Sequence, residues 1–255
     1  MSNFPIIDVQ NLSFGYGGRR KVSPFLKIDS LSIPEKKITA ILGPNGSGKS
    51  TFLKLISGLH EPWEGKILLS GKNLRTMPKK ERAQKLAFVS QTAGSPDILT
   101  KNLVIHGRFP HTKSAFFQSY SKTDEEIANV AMEKMNIAHL SQKNVRTLSA
   151  GQRQRAFIAQ ALAQDTPVLV LDEPFSFLDI REQLELAQKL SDMKKTIVVV
   201  VHDIPLALEL AQNIALFHEG RLKGFASPQE LRSSSLLQDV FRVRVSTKET
   251  ISFSL

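Results

Sequence analysis

The stretch Gly43-Pro44-Asn45-Gly46-Ser47-Gly48-Lys49-Ser50-Thr51 constrains this chain more than any other. A glycine, four residues, then Gly-Lys-Ser is the spacing of a phosphate-binding loop. A triphosphate needs several donors converging at close range. Glycines let backbone N–H groups approach without a Cβ in the way, and successive N–H groups form an anion-binding nest. The helix beginning near Lys49 turns its positive end to the same place. Lys49 would reach the β- and γ-phosphates, and the Ser50 hydroxyl would hold Mg²⁺. The apolar run Lys37-Ile38-Thr39-Ala40-Ile41-Leu42 predicts a buried strand before the loop. Phe52, Leu53, Leu55 and Ile56 predict a packed helix after it.

A motif of this kind needs a large core behind it, and 255 residues can supply one. Length suggests one domain, or one with an inserted subdomain. A hydrophobic content of 41% and a charged content of 23% are those of a soluble globular protein. No apolar run reaches the roughly 20 residues of a membrane-spanning helix. Met1-Ser2-Asn3-Phe4-Pro5 lacks the regions of a signal peptide. There is no cysteine, so disulfides, thiolate metal sites and a cysteine nucleophile are excluded. These features fit a cytoplasmic location. The net charge of +10 is spread over short groups such as Arg19-Arg20-Lys21, Lys79-Lys80 and Lys194-Lys195. It reads as solvated surface first, attraction to anionic head groups second and nucleic acid third.

Taken in order, residues 5–14 predict an edge strand, followed by Tyr16 and a Gly17-Gly18 turn. Residues 25–33 alternate as a half-exposed antiparallel strand does. Gly58 ends the first helix, and 66–70 and 86–90 are further strands, the second ending at Gln91. From Thr92 to Leu148 the pattern is helical, with a capping box expected at Thr123 and Glu126. A long helix runs from Gln152 to Ala163, and residues 181–193 form another. Residues 168–171 and 196–201 are buried strands of a parallel sheet. His202-Asp203 stands at the carboxyl end of the second, where open α/β sheets keep their ligands. A short helix, strands at 213–218 and 221–225, and a terminal helix complete the chain.

Two further constellations carry chemistry. Val168-Leu169-Val170-Leu171-Asp172-Glu173-Pro174 runs an apolar strand into paired carboxylates. Asp172 would bind Mg²⁺ through water, and Glu173 would orient or deprotonate an attacking water. Leu148-Ser149-Ala150-Gly151-Gln152-Arg153-Gln154-Arg155 opens a helix that Ser149 can cap. Alone, each is a polar strand exit or an ordinary helix start. Here they follow a phosphate loop in order, with Gln91 between and His202 after.

Over essentially its whole length the chain resembles the nucleotide-binding subunits of ABC transporters. The resemblance implies an α/β fold: a P-loop NTPase core of mixed parallel sheet, an antiparallel β subdomain and an inserted helical subdomain. The core and β subdomain would take 1–91 and 149–255, and the helical subdomain 92–148, in a single ABC ATPase domain. It further implies that Tyr16 stacks on adenine, whereas by itself Tyr16 reads as a strand aromatic beside Phe14. Gly43 to Thr51, Ser149, Ala150, Gly151 and Gln152 would contact ATP. Gln91 would help hold Mg²⁺ and sense a membrane partner. His202 would contact the γ-phosphate near Glu173, and Asp179 would lie at a subunit interface, though alone it reads as a helix cap.

Gly107-Arg108-Phe109-Pro110-His111, Arg153-Gln154-Arg155 and Ile158 to Gln164 look like the ATPases of importers for iron–siderophore complexes, haem and vitamin B12. His111 has no partner ligand at metal-binding spacing and reads as surface packing or partner contact. Departures from the pattern are Ala150, where the signature generally has glycine, Phe175 for a common threonine and Phe177 for a common alanine. Arg181 stands where close relatives often have a polar residue or histidine. None removes a catalytic group.

One phosphate loop and one signature per chain imply a head-to-tail homodimer with two ATP molecules between the copies. Hydrolysis would then drive membrane permease subunits, supplied indirectly by a substrate-binding protein, with this chain peripheral on the cytoplasmic face. The alternatives are a soluble ABC-type ATPase acting on DNA or ribosomes and an ABC subunit for another cargo. A phosphate-transferring kinase leaves Leu148 to Gln152 and His202 unexplained.

Overall fold

The structure is a computed structural model that describes residues 5–17, 23–91, 94–112 and 120–242. Gly18 of the expected turn, Arg19-Arg20-Lys21 and the first two residues of the expected helical segment lie outside these ranges. The chain forms two compact units, Met1–Met77 with Leu184–Leu255, and Pro78–Gln183.

The first unit contains strands β1 (Ile7–Phe14), β2 (Leu26–Ile33) and β3 (Ile38–Leu42), helix α1 (Lys49–Ile56), and strands β4 (Glu64–Leu69) and β5 (Lys72–Asn73). β1 pairs antiparallel with β2 on one side and with β4 on the other. The expected edge strand is therefore interior, and the short β5 forms the rim beside β4. Ile7, Val9 and Leu12 are fully buried as a result. Sequence alternation reports the faces of a strand and not its edges, so it could not distinguish these placements. β2 alternates between buried and exposed residues as expected.

The second unit begins with α2 (Lys79–Lys85), strand β6 (Leu86–Val89) and helix α3 (Thr100–Ile105), which runs into a 3₁₀ turn at His106–His111. Helices α4 (Lys122–Lys134) and α5 (Ala150–Ala163) pack with α3, and β7 (Val168–Asp172) pairs parallel with β6. The α4 cap is Ser121 rather than Thr123: its hydroxyl accepts the Asp124 N–H, and the Asp124 carboxylate accepts the Ser121 N–H. The helix starts two residues early because Asp124 answers Ser121 with the reciprocal bond.

α6 (Ile180–Asp192) carries the chain back to the first unit. There follow β8 (Thr196–Val200), α7 (Ile204–Leu210), β9 (Asn213–His218), β10 (Arg221–Ala226), α8 (Pro228–Arg232) and α9 (Leu236–Phe241). The expected single terminal helix is thus two short ones, parted at Ser233–Ser235. β3 lies between β8 and β9, parallel to both. Every residue of β3 and β8 is buried. Each fully buried Ile, Leu or Val contributes about 1.5–3 kcal/mol, so the strand feeding the phosphate loop is among the most firmly held parts of the unit. Among the described residues no helix is long and apolar enough to cross a membrane.

Candidate functional site

The loop from Gly43 to Gly48 joins β3 to α1. Gly48 is the N-cap of α1 with φ 99°, a conformation costly for any residue with a Cβ. At Gly43 the constraint is space: a Cβ would come within 2.1 Å of the Phe217 carbonyl and 2.7 Å of Ser47 Oγ. The loop is also tied to the turn after β9, where the Gly220 N–H donates to the Ser47 carbonyl.

Lys49 is only 5% exposed. Its ammonium donates to the Gly43 carbonyl at 2.7 Å and the Pro44 carbonyl at 2.9 Å. The expected cation therefore arches over its own loop. Ser47 Oγ is buried with no hydrogen-bond partner among the described residues. A buried orphan hydroxyl costs about 1–3 kcal/mol, and a phosphate oxygen is the acceptor that would satisfy it. The loop chemistry thus fits a polyphosphate.

Tyr16 follows the end of β1 and is 56% exposed. It stands edge-on to Phe14, centroids 5.2 Å apart, and its hydroxyl is 2.7 Å from Thr51 Oγ1. The strand-aromatic contact with Phe14 is present.

In the second unit, Asp172 ends β7 and is 3% exposed. Glu173 follows with φ 52°. That left-handed turn breaks the strand, so the two carboxylates do not simply alternate across it. Gln91 Nε2 donates to Glu173 Oε2 at 2.5 Å, and Ser176 Oγ donates to the same oxygen at 3.2 Å. Two hard carboxylate oxygens at a strand end suit a magnesium ion or a water-activating role. Among the described residues no three His, Cys, Asp or Glu side chains gather to cage a metal. Magnesium that rides on substrate phosphates needs no such cage.

Ser149 caps α5. Its hydroxyl accepts the Gln152 N–H at 3.2 Å, and the Gln152 side chain accepts the Ser149 N–H at 3.2 Å. The Ser149 O–H proton is not used by this box. Ala150 is exposed beside it, whereas Gly151 is buried. A Cβ on Gly151 would meet Leu178 Cδ2 at 3.0 Å and Glu182 Oε2 at 3.3 Å. Glu182 also pairs with Arg155 of α5. Asp179 caps α6 by accepting the Glu182 N–H at 2.8 Å. Phe177 and Ile180 flank it with exposed apolar side chains.

His202 is exposed just past β8, and Asp203 caps α7 by accepting the Leu206 N–H. Lys49, Ser50 and His202 belong to the first unit; Gln91, Ser149, Asp172, Glu173 and Asp179 belong to the second. His111 is half-buried, with Nε2 2.9 Å from the Gln164 carbonyl, so it fastens the 3₁₀ turn to the end of α5. Arg108 does the same from within, donating to Asp124 at 2.8 Å and to the Ala163 carbonyl at 2.9 Å. Burial pushes the Asp124 carboxyl up. Hydrogen bonds from Arg108 and Ser121, with the Arg108 charge, outweigh it and hold the pKa at about 2.

Three contacts had no sequence signal: Ser176 on Glu173, the Arg155–Glu182 pair, and His60 against Phe14 and Tyr16. Each joins residues that are ordinary in their local context and meaningful only once folded.

Known proteins are similar to this chain in sequence and in fold. Residues 26–176, more than half of the chain, match the family profile described as ABC transporter. The ferric enterobactin transport ATP-binding protein FepC of Escherichia coli (strain K12) is 37% identical over 240 residues, 92% of this chain and 86% of that protein. The iron(3+)-hydroxamate import ATP-binding protein FhuC of Bacillus subtilis (strain 168) is 36% identical over 93% of this chain and 88% of its own length. Among solved structures, an inward-facing putative metal-chelate type ABC transporter matches with TM-score 0.77 and 29% identity, covering 93% of this chain and 88% of that one. The ATP-binding cassette MJ0796, dimeric and bound to ADP and Pi, matches with TM-score 0.78 and 26% identity, covering 87% and 98%. A family profile matched over more than half of the chain and relatives above 30% identity over most of its length show that the chain belongs to the ABC transporter family as one of its ATP-binding cassettes.

Proposed function

We propose that this chain is the ATP-hydrolysing subunit of an importer for a metal chelate of the iron–siderophore, haem or cobalamin type. The observation that carries the reading is the phosphate loop, where buried Lys49 and the orphan Ser47 hydroxyl are both ready to meet phosphate oxygens. The cargo class is supported by the names of the relatives, which act in ferric enterobactin and iron hydroxamate transport.

In this reading Lys49 and the backbone of residues 43 to 51 bind the ATP phosphates, and Tyr16 stacks on the base. Ser50, Asp172 and Gln91 supply oxygen donors to Mg²⁺, which when bound neutralises charge on the phosphate oxygens. Glu173 takes a proton from the attacking water, held in place by Gln91 and Ser176. His202 donates to the γ-phosphate. The core takes 1–91 and 149–255 and the helical subdomain 92–148. Two copies sandwich ATP head to tail. Each lends the other Ser149, whose unspent O–H proton is free to donate, with Ala150, Gly151 and Gln152 beside it and Asp179 at the seam. ATP shifts the pair towards the closed form only by binding that form more tightly. The chain then sits on the cytoplasmic face of the membrane, bound to permease subunits and served indirectly by a substrate-binding protein.

The test is uptake of radio-iron as a ferric siderophore by cells lacking the gene. Restoration by the wild type and not by Glu173→Gln supports the reading; equal restoration by both refutes it. The charge of +10 keeps a second reading in play, a soluble ABC-type ATPase acting on DNA or ribosomes. ATPase activity stimulated by DNA or ribosomes, with salt-dependent binding, would support that one.

A further inference from the structure

Tyr16 is more firmly held than an exposed tyrosine on a loop needs to be. Such a ring ordinarily samples several rotamers. Here its hydroxyl is tied to Thr51, its edge meets Phe14, and Phe25 lies tilted against it at 5.7 Å. The fourth neighbour is His60, perpendicular to Tyr16 at 5.9 Å. The same imidazole stacks on Phe14 at 5.2 Å and 15°. His60 therefore touches both the ring that would face a base and the ring that supports it.

The backbone explains why a residue beyond α1 arrives there. Gly58 turns the chain with φ 67°, and the Leu59 and His60 N–H groups both close on the Lys54 carbonyl. Three residues on, the Trp63 N–H donates to the Ser13 carbonyl, and the Trp63 ring lies where a Cβ on Gly15 would sit, 2.4 Å from Cη2. The loop after α1 is thus clamped onto the end of β1 from both sides. One helix then serves two ends of a nucleotide. Lys49 opens it at the phosphate loop, Thr51 anchors the Tyr16 hydroxyl from its first turn, and His60 follows its last.

We propose that His60 is a positioning residue for the nucleotide base, fixing the plane of Tyr16 on which a purine ring stacks. This rests on the nucleotide reading above. Base–aromatic stacking depends on a flat, correctly tilted face. His60 does not touch the base; it sets the tilt. Its removal therefore weakens only ligands that carry a base.

The experiment measures binding of ATP and of inorganic tripolyphosphate, both with Mg²⁺, by calorimetry on the full chain. In His60→Ala, ATP affinity falls about fivefold, the scale of one lost edge-to-face ring contact, while tripolyphosphate affinity stays within twofold of wild type. His60→Leu, which fills the space without a flat ring, behaves as His60→Ala does. His60→Phe restores ATP binding. Unchanged ATP affinity in the alanine and leucine variants, an equal loss of both ligands, or failure of phenylalanine to restore binding each overturns the proposal. A wild type that binds neither ligand overturns the nucleotide reading itself, so the two failures are distinguishable.

Discussion

Gln91 Nε2 lies 2.5 Å from Glu173 Oε2, joining residues 82 apart in sequence. The amide helps fix which way the carboxylate points, and Ser176 donates to the same oxygen. Orientation of this kind is where a catalytic base gains most of its advantage. Glu173→Gln is expected to bind ATP, to lose hydrolysis by a factor of about 10²–10⁴, and to accumulate as an ATP-bound dimer. Gln91→Ala should lower kcat about tenfold with little change in KM. Steady-state ATPase assays with size-exclusion chromatography in Mg-ATP check both; full turnover by Glu173→Gln would refute the assigned base.

Lys49→Ala removes the ammonium from the Gly43 and Pro44 carbonyls and, on the proposed function, from the nucleotide. A charged hydrogen bond contributes about 1.5–3 kcal/mol, so ATP affinity should fall roughly ten- to hundredfold. Calorimetric titration measures it, and an unchanged Kd would count against the loop assignment.

The two small residues that open α5 should respond differently. Gly151→Ala pushes a methyl against Leu178 and Glu182, and is expected to cost about 1–2 kcal/mol of stability. Ala150→Gly, on an exposed position, should cost less than about 1 kcal/mol. Denaturant unfolding of both variants tests the contrast; equal losses would contradict the packing described.

Arg108 and Asp124 form a nearly buried ion pair. The Asp124 pKa is depressed to about 2 from the ordinary value of 3.8. A depressed acid stabilises the fold above its unfolded pKa, and that contribution is lost as pH falls from 3.8 towards 2. Arg108→Met should cost about 3 kcal/mol near neutrality. Its deficit relative to wild type should shrink below pH 4, as read from urea midpoints against pH. A deficit independent of pH would mean the loss is one of packing alone.

The sequence made the phosphate loop legible because its function requires a fixed spacing and a strand-to-helix setting. The β3 and β8 strands were legible because all but one residue of each is apolar, as burial on both faces requires. What escaped was relational. The interior position of β1 depends on β4, which arrives more than fifty residues later. The cap at Ser121 depends on the short reach of Asp124, which a Thr-to-Glu template passes over. His60 looks like any loop residue until the turn at Gly58 folds it back.

Lys49 already has two carbonyls to hold before any phosphate arrives. On the proposed reading of Lys49, capturing a nucleotide is thus a swap of oxygen partners rather than the rescue of a stranded charge. A trade of that sort gives a smaller net gain, and it leaves the lysine a comfortable place to return to. Spent nucleotide can then depart without stranding the cation, as repeated cycling demands.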